Sequence, residues 1–210
     1  MIDKLKSWFY HKLSDFSSRL IHHQAFDPAQ LEITYLTITS PDLTASFDGY
    51  RLVQISDIHL GTWINSERLI NIVKIINGLS ADLVVITGDF VADFFPEALD
   101  LLPSALLSLR PKDGVLAVRG NHDYRVSLQR FSDTIAKSGI VNISNAIYTI
   151  QRDNNFLYVA GVDTVRNKQD RLDIVLKQLP QQGAAILLSH EPDFADISAK
   201  TGRFFLQLSG

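Results

Sequence analysis

The 210-residue sequence contains no cysteine, which excludes disulfides, thiolate metal sites and a cysteine nucleophile. It also lacks any apolar run approaching the roughly 20 residues of a membrane-spanning helix, and Met1 is not followed by the pattern of a secretory signal. The formal net charge of −3 gives no reason to expect a nucleic-acid partner. The composition that remains, 46% hydrophobic and 20% charged, is typical of a soluble globular domain, and we expect it in the cytoplasm.

The first 24 residues differ in pattern from the rest of the chain. Apolar side chains recur there at helical spacing, interleaved with lysine and arginine, which predicts an amphipathic helix. The apolar positions are Ile2, Leu5, Phe9, Leu13, Phe16 and Leu20. Such a helix can lie in a membrane interface, here as a peripheral contact with the inner membrane face, or it can pack on the domain or on a partner chain. Because Asp27-Pro28 breaks the helical pattern, we expect a helix and linker over residues 1–27 and a folded domain over residues 28–210.

Strand-like and helix-like segments alternate through this domain. The predicted strands are 31–39, 50–56, 82–87, 114–118, 147–151, 156–161, 184–189 and 204–208. The predicted helices are 66–79, 96–109, 126–138, 168–179 and 192–200. This alternation predicts an α/β fold. The turn at Asp153-Asn154-Asn155 predicts a hairpin in place of a crossover helix, so we expect mixed sheets.

Polar residues follow four of the predicted strands. They are Asp57 and His59 in SDIHLG, Asp89 in TGDF, Asn121 and His122 in RGNHDY, and His190 in LLSHEPDF. Taken singly, each is more often a turn, cap or near-core residue. Together, at the carboxyl ends of strands where α/β proteins bind ligands, they predict one site. Crowded carboxylates repel unless a cation joins them, and a set of carboxylate, imidazole and amide donors suits manganese, iron or zinc.

These motifs resemble those of the calcineurin-like metallophosphoesterases. The family pattern is D-x-H, GDxxD, GNH with an acid, a lone His and then GHxH. This chain has Asp57-Ile58-His59, Gly88-Asp89, Gly120-Asn121-His122-Asp123 and His190 in that order, and the resemblance covers residues 31–210. The stretches FDGYRLVQISDIHLG and LLSHEPDF look like a bacterial branch of membrane-associated phosphodiesterases and lipid-linked pyrophosphatases. The resemblance implies a four-layer fold with α+β character, in which helices flank a mixed β-sandwich.

The resemblance also implies roles for the motif residues. Asp57 and His59 would bind one divalent metal, Asn121 and His190 a second, and Asp89 would bridge the two. A hydroxide bridging the metals would attack the phosphorus. The other two residues would be catalytic without binding metal: His122 as the general acid or as a charge on the phosphate, and Asp123 in orienting its neighbours.

Two departures from the family pattern affect these expectations. The second acid of GDxxD is replaced by Ala92, and Asp93 follows one residue late. A one-residue shift turns a side chain by about 100° in a helix or 180° in a strand, so we expect Asp93 to be a solvated or capping residue.

The second departure is at Gly210, where LSG-like residues would lead into GHxH. The chain is therefore expected to be truncated before that motif and to lack the family's last strands. Each metal would lack one imidazole, and turnover would be weaker than that of an extended chain.

The sequence thus predicts a metal-dependent phosphohydrolase that cleaves phosphodiester or pyrophosphate bonds. The N-terminal helix favours a lipid-linked substrate or a membrane surface. Two alternatives stay open at this level: a non-catalytic protein that uses the same fold to bind a partner, or an inactive fragment of the enzyme.

Overall fold

The structure, a computed structural model, describes residues 31–210. It contains eight strands in two sheets. The strands are β1 (Leu52–Ile55), β2 (Leu83–Ile86), β3 (Val115–Ala117), β4 (Ile140–Asn142), β5 (Ala146–Arg152), β6 (Asn155–Gly161), β7 (Ala184–Leu188) and β8 (Leu206–Leu208). The helices are α1 (Ser66–Gly78), α2 (Leu102–Leu106), α3 (Leu128–Lys137), α4 (Leu172–Gln178) and α5 (Ala195–Ser198). Short 3-10 turns include Pro96–Leu101, His122–Arg125 and Pro192–Phe194.

The two sheets have four strands each and stack face to face. The first runs β1-β2-β3-β4 and is parallel throughout, whereas in the second, β5-β6-β7-β8, only the β5–β6 hairpin is antiparallel. Alternation along β2 explains the layering: Leu83 and Val85 point into the core between the sheets, while Val84 and Ile86 face the helices. A third cluster packs α4 on the outer face of the second sheet. This four-layer, mixed β-sandwich flanked by helices confirms the predicted fold class.

Most of the predicted strands and helices are present in the structure, and three segments differ. Residues 31–39 are irregular and pair with no strand in the described chain, because alternation produces a strand only where a neighbour offers backbone partners. The three-residue β4 was missed because so short a segment has no readable period. The helix predicted over 96–109 is a 3-10 turn followed by α2, which ends at Leu106.

The predicted amphipathic helix of residues 1–24, and the domain boundary near residue 27, lie outside the described residues. Within residues 31–210, no helix combines the length and apolar character needed to cross a bilayer.

At the end of the sheets where β2 begins, a charged network ties the two sheets together. The buried Asp82 accepts hydrogen bonds from the Arg51 backbone (2.7 Å), Lys112 Nζ (2.8 Å) and Arg152 of β5 (2.9 Å). Burial opposes ionisation of Asp82, but these donors outweigh it and lower its pKa from 3.8 to about 2. The charge of Asp82 is thus compensated within the protein itself.

Asp82→Asn should lower the free energy of unfolding by about 2 kcal/mol at neutral pH, because it weakens charge-assisted hydrogen bonds. Since the folded pKa lies below the unfolded value of 3.8, this stabilisation is complete above that value and is lost as the pH falls toward 2. The gap between variant and wild type, measured by urea unfolding at a series of pH values, should therefore shrink over that interval. Asp100→Asn is the control, since its exposed pair with Arg130 should contribute less than about 0.5 kcal/mol. Equal losses in the two variants would contradict the prediction.

Candidate metal centre

The motif residues meet at the carboxyl ends of four strands, around a cavity of about 390 Å³. Asp57 follows β1, Asp89 follows β2, Asn121 follows β3 and His190 follows β7. The cavity wall consists of Asp57, His59, Asp89, Asn121, His122, Arg166, His190, Glu191, Pro192, Asp193 and Gly210. Six of the seven predicted site residues are therefore brought together; Asp123 is outside the wall.

The backbone at this edge is held in a conformation that ordinary residues seldom adopt. Asp57, His59 and Asp89 have φ values of 52°, 42° and 54°, all left-handed. Backbone hydrogen bonds fix this geometry, since the Asp57 N–H donates to the Gly88 carbonyl (3.1 Å) and the His59 N–H to the Asp89 carbonyl (3.0 Å). Strained, non-glycine left-handed residues concentrate at functional sites, where the surrounding structure compensates for them. Three such residues at one edge therefore support a functional site there.

Two glycines allow the loops after β2 and β3 to touch. A Cβ atom on Gly88 would stand 2.6 Å from the Gly120 nitrogen and 2.9 Å from His190 Nδ1, and a Cβ on Gly120 would collide with the Asp89 carboxylate. Gly88 also has φ of 98°, which a side chain would disfavour. The absence of side chains at these two positions brings Asp89 and His190 into contact distance.

Asp89 lies at the centre of the arrangement, and the residue is only 3% exposed. Its Oδ1 accepts the backbone N–H of His122 at 2.9 Å. Its Oδ2 faces three imidazole Nε2 atoms, those of His190 at 3.3 Å, His59 at 3.5 Å and His122 at 3.8 Å. Burial opposes ionisation of Asp89, but the His190 and His122 contacts outweigh it and lower its pKa below 3.8.

The ring of His190 is fixed in the orientation that a metal ligand requires. Its Nδ1 lies 2.8 Å from the Thr87 carbonyl oxygen, which can only accept, so Nδ1 carries the proton. The lone pair of Nε2 is then aimed at Asp89. Burial lowers the pKa of His190, but the Asp89 carboxylate outweighs this effect and raises it to about 9. Two electron-rich atoms 3.3 Å apart need a positive charge between them, which is a proton when no metal is bound.

The side chains present fit divalent cations. Asp57, Asp89 and His190 form one group, and His59, Asp89 and His122 form another, with the donor atoms of each group within 4.8 Å of one another. All donors are oxygen or nitrogen, as manganese, iron and zinc accept. The grouping shares Asp89, as predicted, but brings His122 alongside His59, where the resemblance had assigned it no metal. How the ligands divide between two metals stays a prediction.

Asp93 is partly exposed, as a solvated residue would be, but it also contacts two ionisable side chains, which the prediction did not include. Its Oδ1 lies 3.1 Å from His122 Nδ1, at an ion-pair distance without the alignment of a hydrogen bond, and accepts from Arg125 Nε at 2.7 Å. The hydrogen bond from Arg125 is the main reason that the pKa of Asp93 is lowered. The one-residue offset did not predict where the Asp93 side chain points, because the chain after Asp89 is neither helix nor strand. Asp93 therefore stands beside the imidazole that the family's second acid would orient.

Asp123 is fully buried and holds the loops together from behind the cavity. Its carboxylate accepts from the backbone N–H groups of Gly120 (2.9 Å), Asp89 (3.0 Å), Phe90 (2.8 Å) and Val91 (3.4 Å). Burial raises the pKa of Asp123 to about 7, against the opposing effect of the backbone donors. The side chain thus joins the segment after β2 to the one after β3.

Five residues of the cavity wall were not predicted as site residues, Gly210 among them. Glu191, Pro192 and Asp193 directly follow His190, so proximity to a predicted ligand was the available signal. Arg166 lies in the loop after β6, where no motif marked it. Only the three-dimensional fold places that loop at the site.

Comparisons with known proteins identify relatives of this chain. The chain matches the sequence model described as calcineurin-like phosphoesterase over residues 50–205. It is 30% identical over 188 residues to an uncharacterised metallophosphoesterase of Bacillus subtilis, covering 88% of this chain and 65% of the relative. It is 31% identical over 166 residues to a UDP-2,3-diacylglucosamine pyrophosphatase of Chlamydia trachomatis, covering 79% and 49% respectively.

Similarity also extends to solved structures. The crystal structure of a hypothetical protein from Thermus thermophilus aligns with 76% of this chain and 66% of its own, at 17% identity and a TM-score of 0.48. The chain spans 65% or less of the length of the two curated relatives above.

Asp123→Ala should lower the free energy of unfolding by at least about 3 kcal/mol, because it leaves four backbone N–H groups without their acceptor at a cost of roughly 1–3 kcal/mol each. Chemical unfolding followed by circular dichroism measures the change. The matched control is Asp133→Ala on the exposed face of α3, which should stay within about 0.5 kcal/mol of wild type. A loss no larger than that of the control would contradict the structural role of Asp123.

Proposed function

Since this chain belongs to the calcineurin-like phosphoesterase family, we propose that it hydrolyses a phosphodiester or pyrophosphate bond at the Asp89 centre. The observation that carries the proposal is the convergence of three imidazole Nε2 atoms on one buried carboxylate oxygen. That convergence needs positive charge, and the donor set suits two divalent ions of manganese, iron or zinc. Bound there, such ions would polarise the phosphoryl oxygens and acidify a coordinated water.

The ligands in this proposal are Asp57, His59, Asp89, Asn121 and His190. Asp57 is exposed at the cavity mouth, whereas Asp89 and His190 are buried, so the site opens on the Asp57 side. His190 is held by the Thr87 carbonyl and Asp89 by the His122 backbone, and both therefore present fixed donors. Fixed donors lower the reorganisation that binding requires.

His122 is the proposed proton donor to the leaving group. Its ring packs edge-on against His59, with centroids 4.8 Å apart at 89°, and Asp93 stands behind its Nδ1. With Nδ1 on the side of Asp93, Nε2 faces the cavity, 3.8 Å from Asp89 Oδ2. Asp123 is a positioning residue in this scheme, since it shapes the loops that carry Asp89 and His122.

The proposed substrate class includes lipid-linked esters. One relative is named as a pyrophosphatase of UDP-2,3-diacylglucosamine, and the sequence predicts an amphipathic helix at residues 1–24 next to the domain of residues 28–210. Peripheral attachment at the inner membrane face would bring such a substrate to the cavity.

Metal binding should stabilise the folded protein. At a concentration about 100-fold above the dissociation constant, manganese, zinc or iron should raise the free energy of unfolding by about 2.7 kcal/mol. This is measured as a rise in the melting temperature that a chelator reverses. Asp89→Asn should lose this rise, whereas Asp100→Asn, remote from the cavity, should keep it. Hydrolysis of phosphodiester and pyrophosphate test substrates should follow the same pattern. No hydrolysis of either class with any of the three metals would contradict the proposed function.

Two substrates with different leaving groups test the role of His122. His122→Asn should lower kcat about 100-fold or more for an ester with a poor alcohol leaving group. The loss should be much smaller for a p-nitrophenyl ester, whose leaving group needs no proton. Asp93→Asn should show the same selectivity with about a tenfold smaller effect, because it acts through His122. Equal losses on both esters would show that His122 does not donate the proton.

A further inference from the structure

Arg166 is the only lysine or arginine among the described residues that line the cavity. We propose that Arg166 binds a phosphoryl oxygen of the substrate and that Glu191 positions it for this contact. The inference rests on the proposed function, because it assigns an anion-binding residue to the same cavity. Arg166 carries no role in the motifs of the sequence.

A hydrogen bond to a motif residue places Arg166 beside the candidate metal centre. Its guanidinium donates to Asn121 Oδ1 at 3.4 Å, and it forms no ion pair with any described carboxylate. The side chain is exposed at the cavity mouth. An unneutralised guanidinium beside a predicted metal ligand is suited to an incoming phosphate, which it can bind with two parallel, charge-assisted hydrogen bonds.

Glu191 commits both of its carboxylate oxygens to the loop that carries Arg166. Oε1 accepts the hydroxyl of Thr164 and the backbone N–H of Arg166 (3.1 Å), and Oε2 accepts the N–H of Val165 (3.1 Å). Thr164 is completely buried, so the loop is fixed at its base. Because Glu191 directly follows His190, the end of β7 carries a predicted metal ligand and, next to it, the residue that positions the arginine.

A second set of contacts holds the two ends of this loop. Asn145 Oδ1 accepts the backbone N–H groups of Asp163 (3.1 Å) and Arg171 (2.8 Å). The buried Asp163 also accepts from Arg119 of the RGNHDY segment at 2.6 Å. The loop is therefore tied both to the metal-ligand segment and to the hairpin, which limits the freedom of Arg166 to its own side chain. A side chain mounted on a fixed backbone loses less entropy on binding.

Binding of inorganic phosphate to the manganese-loaded protein, measured by isothermal titration calorimetry, tests the role of Arg166 without requiring turnover. Arg166→Ala should raise the dissociation constant about 10- to 100-fold, as expected for the loss of charged hydrogen bonds, and Arg166→Lys should fall between this variant and wild type. Lys168→Gln removes a charge from the same loop at a position outside the cavity wall, and it should change the dissociation constant for phosphate by less than about 2-fold. Metal content is measured for each variant. Wild-type affinity in Arg166→Ala would overturn the proposal.

A double-mutant cycle tests the role of Glu191. Glu191→Gln keeps one acceptor oxygen and turns an NH₂ group toward backbone donors, so it should free the loop and weaken phosphate binding nearly as much as Arg166→Ala. In the Arg166→Ala background it should cause no further loss beyond about 2-fold. A full additional loss would mean that Glu191 acts on His190 or the metals, and would overturn its positioning role.

The outcomes separate this inference from the proposed function. A protein that hydrolyses phosphate esters but binds phosphate equally well without Arg166 contradicts only the inference. A protein that shows no turnover, yet loses phosphate affinity in Arg166→Ala, contradicts only the proposed function.

Discussion

The buried charge of Asp89 is the constraint around which the site is built. A carboxylate taken out of water is costly unless hydrogen bonds and opposite charge compensate it. The backbone N–H of His122 satisfies Oδ1, and three imidazoles surround Oδ2. These partners come from three strand ends, with His59 after β1, His122 after β3 and His190 after β7, so compensation of Asp89 also holds the loops together. The geometry of the loops and the need for a cation therefore have the same cause, which is the cost of burying the Asp89 charge.

Strand β2 shows the same residue type used in two opposite ways. Asp82, just before the strand, is compensated by Lys112 and Arg152, two cations that belong to the chain. Asp89, just after the strand, has imidazoles as its only side-chain partners among the described residues, and imidazole nitrogens can serve as metal ligands. The first arrangement is closed and joins the sheets. The second leaves room for cations from solution to compensate the Asp89 charge. One strand thus carries a stabilising network at its start and a candidate binding site at its end.

The sequence predicted those parts of the site that local rules determine. A polar residue after an apolar strand lies at the sheet edge whatever surrounds it, so Asp57, Asp89 and His190 could be placed correctly. Asp93 could not, because its direction depends on an irregular segment held by Asp123. Residues 31–39 had the pattern of a strand but pair with no strand within residues 31–210. Arg166 reaches the cavity only through contacts with distant residues, which no local pattern records.

The end of β7 links the two halves of the site. His190 turns inward to Asp89, while Glu191 reaches outward to the loop of Arg166. Adjacent residues on an extended chain point to opposite sides, so one backbone segment can fix a predicted metal ligand and the loop of the proposed anion-binding arginine at once. A shift of this segment would move both together and preserve their spacing. Because in-line displacement requires the phosphoryl group to be oriented relative to its activating charges, such coupling would keep the arginine in register with the Asp89 centre.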